Sequence, residues 1–349
     1  MGVDLGELLS RKKISFDELS GKAVAVDAYN TLYQFLAIIR GQRGEPLMDR
    51  QGRVTSHLSG LLYRNSNLMA MGAKLVYAFD GKPPVEKEME VKRRMSVREE
   101  AVVRYEDALK KGDMKAARTY AQATARIKDQ MVADSWRLLD LMGIPWVQAP
   151  SEGEAQAAYM AAKGDVWAVA SQDHDSLLFG APRLIRNLTM SGRRKLPGKE
   201  LYVEVNPELI CLDKVLAELG LTREQLVDLG ILVGTDYNPD GVKGVGPKSA
   251  LKMVKTYGRL ENILAHVQEA RFPTSPEGIK RIFLKPDVTG NYLLKWKTPM
   301  VEGVIDFLCG ERDFSEDRVR KAMSMVTEAF QKAEKAEKTG TLAKWFVKT

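Results

Sequence analysis

Three short runs of apolar residues alternate with amphipathic stretches in the first half of the chain. The runs cover residues 22–27, 73–80 and 165–173, and each ends in an aspartate. Short continuous apolar runs of this kind are typical of buried parallel strands, whereas Leu58–Met71 repeats its apolar positions with a helical period. The pattern therefore predicts alternating strands and helices in an α/β, doubly wound and mostly parallel sheet flanked by helices.

The segment from Lys82 to about Asp134 interrupts this alternation. It is highly charged, has a helical pattern without a strand signal, and is broken at residues 111–113. Gly143 and Pro145 then end the second helix and allow a strand to begin again. We predict a helical insertion above one edge of the sheet. Length alone allows two or three domains, but the close succession of motifs indicates one catalytic body.

Seven carboxylates in five short motifs follow the predicted strands and helices. They are Asp27, Asp80, Glu152, Glu154, Asp173, Asp175 and Asp236. Ligands of doubly wound folds bind outside the carboxyl ends of the strands, where these acids should lie. Converging carboxylates repel one another unless divalent cations hold them, and Mg²⁺ or Mn²⁺ takes oxygen ligands. Two cations about 4 Å apart would account for so many acids and predict a phosphodiester hydrolase.

Each acid also has an ordinary structural interpretation. An aspartate after a strand is usually a turn residue or a helix N-cap, and Ser151 with Glu154 could form a capping box. Glutamates two residues apart point differently on a helix, so at most one can face the metals unless the chain is still turning there. His174 lies between two acids, but alternation along an extended segment points it away from them. The coincidence of motifs favours the metal site.

Two basic features accompany the acids. Lys87 and Arg94 are two helical turns apart and share a face of the insertion, where they could stabilise a scissile phosphate. The adjacent Arg93 points elsewhere, and a solvated face of salt bridges with Glu86, Glu88 and Glu90 is the alternative.

Residues 241–250 form a glycine-rich turn that enters a helix. The free amides of such a turn can hold a phosphate, and Gly244, Gly246, Lys248 and Ser249 are the candidates. Pro247 separates Gly246 from Lys248, so the segment is not a nucleotide-binding P-loop. It suits a hairpin-type turn that grips one DNA strand through backbone amides, and a tight structural turn is the alternative.

Composition adds a basic surface and a reducing compartment. The 53 Lys and Arg exceed the 46 Asp and Glu by seven, although at least seven acids are committed to one pocket. A polyanionic partner is therefore expected. Cys211 and Cys309 form neither a disulfide framework nor a zinc motif. No apolar run is long enough to span a membrane, and the N-terminus lacks a leader, so we expect a soluble, cytoplasmic protein, or a nuclear one if the source is eukaryotic.

Together these residues closely resemble the flap endonucleases of the structure-specific 5′-nuclease family, over nearly the whole chain. The motifs occur in the family's order and spacing: Met1–Gly6, Phe79–Pro84, Ala149–Glu154, Asp173–Asp175, Gly234–Tyr237 and Gly244–Lys248. The resemblance implies a PIN-like nuclease core and Mg²⁺-dependent hydrolysis at the base of 5′ flaps in DNA replication and repair, with 5′–3′ exonuclease activity. It implies two ions, for which Mn²⁺ could substitute, and it assigns all seven acids to them.

The resemblance also implies roles in DNA binding. Lys87 and Arg94 would contact the scissile phosphate from a helical arch through which the flap threads. Tyr33 would stack on a base, although its apolar neighbours alone indicate a core residue. Gly2 would approach the DNA as the processed N-terminus, and residues 38–55 would form a wedge and a 3′-flap pocket. The turn of a helix-two-turn-helix element, about residues 226–258, would bind K⁺ against a phosphate.

The domain organisation follows from the same resemblance. We expect one nuclease domain over residues 1–328, with an N-terminal region 1–98, an arch within 82–135 and an intermediate region 124–258. A tail over 329–349 would carry a segment for a sliding clamp at residues 339–346. We expect a monomer that acts on branched DNA.

In that tail, Leu342, Trp345 and Phe346 match the aliphatic and aromatic positions of the clamp motif. Thr339 occupies the position of its glutamine, so weaker clamp binding is expected. A docked terminal helix is the alternative. The chain stops soon after these residues without a long basic tail, which favours an archaeal source.

Other functions fit the residues less well. A 5′ exonuclease or junction-cutting relative is the nearest competitor, and the short chain and clamp-like tail argue against it. A Mg²⁺-dependent phosphatase needs a nucleophilic Asp-x-Asp near the first strand, but Asp27 is followed by Ala28 and Tyr29. A non-catalytic DNA-binding scaffold has no use for seven converging acids.

Overall fold

The centre of the molecule is a mixed seven-stranded sheet. The computed structural model describes residues 2–42, 44–189, 192–195, 202–267 and 272–346, and only the backbone of 192–195, 202–204 and 337–346. Within these ranges the strands are β1 Lys12–Lys13, β2 Ala23–Asp27, β3 Lys74–Phe79, β4 Trp146–Gln148, β5 Ala168–Ala170, β6 Arg183–Arg186, β7 Gly192–Lys195, β8 Tyr202–Val205 and β9 Glu208–Cys211.

The strand order confirms the doubly wound prediction. The sheet runs β1-β9-β6-β5-β2-β3-β4, while β7 and β8 form a separate antiparallel ribbon. Strands β2 to β6 are mutually parallel along the sheet, and β9 is antiparallel to both β6 and β1. The chain passes from β2 to β3 on one side and later to β5 on the other. The order therefore reverses at β2, which is where such folds bind ligands.

Helices cover both faces of this sheet. They are α1 Ala28–Ile38, α2 Ser56–Ala70, α3 Glu88–Lys110, α4 Met114–Ala123, α5 Asp129–Leu141, α6 Gly153–Lys163, α7 Asp175–Leu178, α8 Leu212–Leu219, α9 Arg223–Val233, α10 Pro247–Tyr257, α11 Leu260–Ala265, α12 Pro276–Leu284, α13 Val301–Ile305 and α14 Glu316–Phe346. A 3₁₀ turn at Val85–Lys87 leads into α3. None of the described helices is long and apolar enough to cross a membrane.

Alternate residues of the central strand β2 enter two separate cores. Val24 and Val26 pack with residues of α1, α2 and α5, whereas Ala25 packs with residues of α6 and α9. All three are fully buried. This double burial explains the continuous apolar run, because a strand covered on both faces has no solvent side to mark with polar residues.

The charged segment after β3 forms the predicted helical insertion. Helices α3 and α4 pack against each other and are separated by the predicted break at residues 111–113. Gly112 takes a left-handed conformation (φ 71°), and the Asp113 side chain accepts hydrogen bonds from the amides of Lys115 and Ala116, which begins α4. The insertion is thus a helical hairpin that rises from the carboxyl edge of the sheet.

The C-terminal helix crosses the predicted domain limit. α14 begins at Glu316, packs against α2, and continues as a helical backbone through position 328 to Phe346. The side chains of Leu342, Trp345 and Phe346 lie outside the described residues. The division into a domain and a tail therefore stays a prediction.

A buried ion pair fastens the turn before α14 to helix α5. Nη2 of Arg312 lies 3.0 Å from both carboxylate oxygens of Asp134, and both side chains are almost inaccessible to water. Nearby, Asp313 has a positive φ of 58°, and its carboxylate accepts a hydrogen bond of 2.7 Å from the amide of Arg50. These contacts join the loop before α2, helix α5 and the C-terminal turn.

Replacing Asp134 with leucine should destabilise the protein markedly. The change keeps the branched shape of the side chain but leaves the buried guanidinium of Arg312 without its bidentate partner, which costs about 3 kcal/mol or more. The matched control is Arg320→Ala, since Arg320 pairs with Glu302 at the exposed surface and should change stability little. Urea unfolding measures both, and equal losses would contradict the role given to the buried pair.

Candidate active site

The seven predicted acids lie at the carboxyl edge of the central strands. Asp27 is the last residue of β2 and the N-cap of α1, and Asp80 follows β3 directly. Glu152 and Glu154 lie at the start of α6, which follows β4. Asp173 and Asp175 follow β5, and Asp236 follows α9. The fold thus brings together acids that are more than 200 positions apart in the sequence.

Backbone amides at the starts of two helices hold two of these carboxylates in place. Oδ1 of Asp27 accepts a hydrogen bond of 3.0 Å from the amide of Asn30 in the first turn of α1. Oδ1 of Asp80 accepts one of 2.7 Å from the amide of Gly153, where α6 begins. The first turns of helices favour negative charge, so two acids are stabilised by the helices that they face.

The N-terminal segment supplies a further donor. The amide of Val3 donates a hydrogen bond of 2.7 Å to Oδ1 of Asp175. A Cβ atom at Gly2 would lie 2.6 Å from the same oxygen, so only glycine fits against this carboxylate. Gly2 thus lies beside the acids, while Met1 lies outside the described residues and the approach of Gly2 to DNA stays a prediction.

Burial and mutual repulsion raise the pKa values of several acids. Burial, together with the charge of Asp80, raises the pKa of Asp27 to about 8. Burial, with the charges of Asp236 and Asp173, raises the pKa of Asp175 to about 8. These shifts show that the carboxylates act on one another as a single cluster.

Asp80, which follows β3, and Glu154, which lies in the helix after β4, belong to the same cluster. Burial, with the charge of Glu152, raises the pKa of Asp80 to about 6. Burial and the charge of Asp175 raise the pKa of Glu154 well above its usual value. Acids from β3, β4 and β5 are therefore within electrostatic reach of one another, as the sequence predicted.

Both glutamates face the cluster, which helical spacing alone did not allow. Glu152 has an extended backbone (φ −86°, ψ 128°), because the chain is still turning into α6 at this point. Its carboxylate accepts a hydrogen bond from Nζ of Lys87, whereas Oε1 of Glu154 accepts a hydrogen bond of 2.9 Å from the amide of Ser176. The turn before the helix therefore separates the two side chains without directing either away from the other acids.

Lys87 and Arg94 reach from the insertion into the acids. Nζ of Lys87 lies 2.8 Å from Oε1 of Glu152 and 3.1 Å from Oδ2 of Asp236. Nη2 of Arg94 lies 2.6 Å from Oδ1 of Asp236, and its Nε also binds Glu90. The ion pair of Arg94 with Glu90 agrees with part of the salt-bridge interpretation, and contact with a scissile phosphate stays a prediction. Arg93 binds only Glu90 among its described contacts, consistent with the prediction that it points elsewhere.

The charges of these pairs are mutually stabilising. Burial would lower the pKa of Lys87, but the carboxylates of Glu152 and Asp236 outweigh it and raise the pKa. Burial would raise the pKa of Asp236, but the neighbouring Lys87 and Arg94 lower it. Two cationic side chains are too few to neutralise seven acids, so the cluster retains an excess of negative charge.

The donor set fits a hard divalent cation. Every candidate ligand is a carboxylate, the group that Mg²⁺ and Mn²⁺ prefer, and the clustered acids lack enough counter-charge. In the described ranges, however, no three acid, histidine or cysteine side chains stand around one point closely enough to hold an ion together. Carboxylates now bound to Lys87 and to amides would have to turn toward a bound ion. The ligand set stays a prediction.

His174 is turned away from the acids. Its Nδ1 lies 3.1 Å from the carbonyl oxygen of Val3, and burial lowers its pKa. β5 ends at Ala170, so the segment is a turn rather than the extended strand assumed from the sequence. The orientation was predicted correctly, but for a different geometric reason.

Tyr33 is exposed rather than part of the core. Its ring is 36% accessible on α1, and the guanidinium carbon of Arg98 lies 5.9 Å from the ring centroid. The core interpretation drawn from its neighbours is wrong, and an accessible ring agrees with the stacking role. Ile38 at the end of α1 and Met48 in the loop after it are also exposed, so this predicted wedge presents apolar side chains as well as polar ones.

The glycine-rich turn joins α9 to α10. Gly246 is the N-cap of α10, Pro247 occupies its first turn, and Gly244 takes a left-handed conformation (φ 78°). A Cβ atom at Gly244 or Gly246 would meet nothing within 4 Å, so this backbone faces open space. Lys248 and Ser249 are exposed beside it, and Nζ of Lys248 lies 3.3 Å from Glu7. The predicted turn is therefore accessible to a ligand.

The sequence analysis missed the polar side chains that support the acids. Nδ2 of the Asn30 side chain donates a hydrogen bond of 2.8 Å to Asp173. The hydroxyl of Ser171 donates one of 3.3 Å to Asp27. Asn30 could have been noticed three residues after a predicted N-cap, in the first turn of a helix. Ser171 carries no such signal, because its contact depends on the pairing of β5 with β2.

Comparisons with known proteins identify the family of this chain. The model of the XPG N-terminal domain matches residues 1–101, and that of the XPG I-region matches residues 143–236. Flap endonuclease 1 of Hyperthermus butylicus is 56% identical over 97% of this chain and 98% of that protein. Flap endonuclease 1 of Pyrococcus abyssi is 56% identical over 100% of this chain and 99% of that protein.

Solved structures give the same result. Flap endonuclease-1 from Methanococcus jannaschii is 44% identical, with a TM-score of 0.75 over 95% of this chain and 99% of that chain. The catalytic core of Rad2 in complex with a DNA substrate is 22% identical, with a TM-score of 0.67 over 92% and 97%, and shows the fold alone. From its acids, its helical insertion and its full-length relatives, the chain belongs to the flap endonuclease family of XPG-type nucleases.

Proposed function

We propose that the protein hydrolyses the phosphodiester at the base of 5′ flaps on branched DNA, by a mechanism that uses two divalent cations. The protein is a nuclease by family, and its relatives are flap endonucleases. The observation that carries the proposal is the cluster of seven acids beneath Lys87 and Arg94, at the point where the strand order reverses. Replication and repair would supply its substrates, and a 5′–3′ exonuclease activity would use the same centre.

We assign the metal ions to the seven acids. Mg²⁺, or Mn²⁺ in its place, would supply the positive charge that activates water and stabilises the transition state of phosphoryl transfer. Asp27, Asp80, Glu152 and Asp173 come from four neighbouring strand ends and would surround the reacting phosphate. Glu154, Asp175 and Asp236 would complete the ligand set directly or through water.

Lys87 and Arg94 would bind the scissile phosphate. Both are paired with carboxylates in the cluster, so they are held at the mouth of the site rather than free in solvent. A phosphate that enters there can exchange with the carboxylate partners of these cations, and the released carboxylates can then turn toward the metals. Fixed cations at the reacting phosphate stabilise developing negative charge.

DNA recognition would use the surfaces around this centre. The hairpin of α3 and α4 would form the arch over the flap, and the exposed ring of Tyr33 would stack on a base near the cleavage site. The exposed apolar residues after α1 would form the wedge against the duplex end. Backbone amides at Gly244 and Gly246, with Lys248 and Ser249, would hold a phosphate of the duplex, with K⁺ as a bridge.

Junction cutting and DNA scaffolding are the competing functions. The fold alone is shared with Rad2, so it does not separate these activities. Identity above 50% to flap endonucleases over the full length favours the flap substrate. A scaffold would gain nothing from buried acids that repel one another, since leaving them so close is costly.

Flap cleavage should require both a divalent metal and Asp173. A labelled duplex with a 5′ flap should be cut at the flap base with Mg²⁺ and not with EDTA, while plain duplex and single strand are cut far less. Asp173→Ala should reduce the rate by at least roughly 10²–10³-fold and leave DNA binding largely intact.

Asp165→Ala is the matched control for this experiment. Asp165 precedes β5 at the opposite edge of the sheet, where its carboxylate binds Lys163 and Tyr292. It should cut flaps like the unaltered protein. Cleavage retained by Asp173→Ala would refute the metal assignment, and tight binding without any cleavage by the unaltered protein would favour the scaffold.

Gly244→Ala should weaken duplex binding. The backbone at Gly244 has φ 78°, which costs an alanine roughly 1–2 kcal/mol and should distort the exposed amides. Gly258, at the other end of α10, has φ 80° and equally open surroundings, so Gly258→Ala places an alanine at a similar positive φ away from the turn. Fluorescence anisotropy with a duplex should show weaker binding for the first variant only. Equal affinities would refute the role of this turn.

We also propose that the C-terminal segment binds a sliding clamp. Replacing Leu342 and Phe346 with alanine should abolish binding to a clamp in calorimetric titration, whereas Lys344→Ala should not. Thr339→Gln should tighten binding, because glutamine would supply hydrogen bonds that threonine cannot. Unchanged affinity in the double variant would leave the segment as a terminal helix without this partner.

A further inference from the structure

A chain of polar side chains behind the acids ends on Asp173. The hydroxyl of Thr189 donates a hydrogen bond of 3.1 Å to Oε1 of Gln34. Nε2 of Gln34 donates to Oδ1 of Asn30, and Nδ2 of Asn30 donates 2.8 Å to Oδ2 of Asp173. Every donor in this relay is directed toward Asp173, so the carboxylate is approached only as an acceptor.

The direction of the relay is fixed by hydrogen-bond chemistry. An amide side chain has one accepting and one donating end, and a flipped Asn30 would set its oxygen against the carboxylate of Asp173. Gln34 holds Asn30 in the productive orientation, and Thr189 holds Gln34 in turn. Thr189 is buried, in a turn after β6 that Asn187 makes in the left-handed conformation (φ 62°), which asparagine tolerates.

Asn30 connects acids from two neighbouring strands. Its backbone amide binds Oδ1 of Asp27, at the end of β2, while its side chain binds Oδ2 of Asp173, beyond β5. Ser171 repeats this connection, because its hydroxyl donates to Asp27 and accepts from the amide of Asp173. The relative position of Asp27 and Asp173 is thus set by two independent polar links.

We propose that the relay of Asn30, Gln34 and Thr189 positions the carboxylate of Asp173 for binding a divalent cation. The proposal rests on the proposed function, in which Asp173 is a metal ligand. With Oδ2 held by Asn30, Oδ1 remains for the ion. These three are positioning residues, since none of them needs to touch the metal or the DNA. Outer hydrogen bonds to ligands typically matter roughly 10–100-fold for metal affinity or activity.

Asn30→Leu removes the side-chain contact with Asp173 and keeps the backbone contact with Asp27. Leucine has the same branched shape and keeps the backbone amide that binds Asp27, but it cannot donate to Asp173. The Mg²⁺ concentration for half-maximal flap cleavage should rise at least roughly 10-fold, with much of the rate recovered at saturating Mg²⁺. In the DNA-free protein, calorimetric titration with Mn²⁺ should show a matching loss of affinity, which is a readout independent of activity.

Gln34→Leu and Thr189→Val extend the series along the relay. Each leaves the bond from Asn30 to Asp173 in place but removes its support, so each should shift the Mg²⁺ requirement in the same direction and by less. The order of the shifts should follow distance from Asp173. These variants also keep the proposal testable if Asn30→Leu fails to fold.

Asn65→Leu is the matched structural control. Asn65 is a buried asparagine on α2 that accepts a hydrogen bond of 2.7 Å from the hydroxyl of Tyr77, far along the chain from the relay. It should lower the thermal midpoint without changing the Mg²⁺ requirement. An unchanged Mg²⁺ requirement and Mn²⁺ affinity in Asn30→Leu would overturn the relay. Absence of flap cleavage by the unaltered protein would instead overturn the proposed function. Mn²⁺ affinity would still report on the relay in that case, so the two failures can be distinguished.

Discussion

Repulsion among buried carboxylates is the constraint on which the rest of the site depends. Asp27, Asp80, Glu154 and Asp175 all have raised pKa values, because burial and neighbouring negative charge disfavour ionisation. The protein offsets this with directed donors: helix amides, the amide of Val3, and the cations of Lys87 and Arg94. A fold that holds so much uncompensated charge is stable only where the surrounding sheet is rigid, which explains why the acids lie at the ends of its most buried strands.

The same constraint ties the insertion to the catalytic floor. Lys87 enters the cluster just before α3 begins, and Arg94 follows from the second turn of that helix. Their partners, Glu152 and Asp236, lie before α6 and after α9. The base of the insertion is therefore held by the same charges that would bind metal and phosphate, so a phosphate that enters the site would exchange with these ion pairs.

Much of this arrangement could be predicted from local sequence, and the remainder depends on contacts across the chain. The strands around Val24, Val76 and Val169 were readable because burial on both faces leaves continuous apolar runs. Asp27, Asp80 and Asp173 were readable because each ends such a run. The antiparallel β9 and the exposure of Tyr33 were not, since both are set by which elements pack against which. The contact of Thr189 with Gln34 joins positions 155 residues apart, and no local pattern encodes it.

Helix α1 carries a metal ligand candidate at its cap, two of the three relay residues in its first two turns, and the exposed side chain of Tyr33. A helix rotates by roughly 100° per residue, so one inserted or deleted residue here would turn Asn30, Gln34 and Tyr33 away from their partners together. The loop that follows Ile38 is not helical, so a change in its length does not rotate these side chains. Insertions and deletions should therefore be tolerated after α1 but not within it. The length of these eleven residues sets the relative positions of the side chains that α1 contributes to the active site.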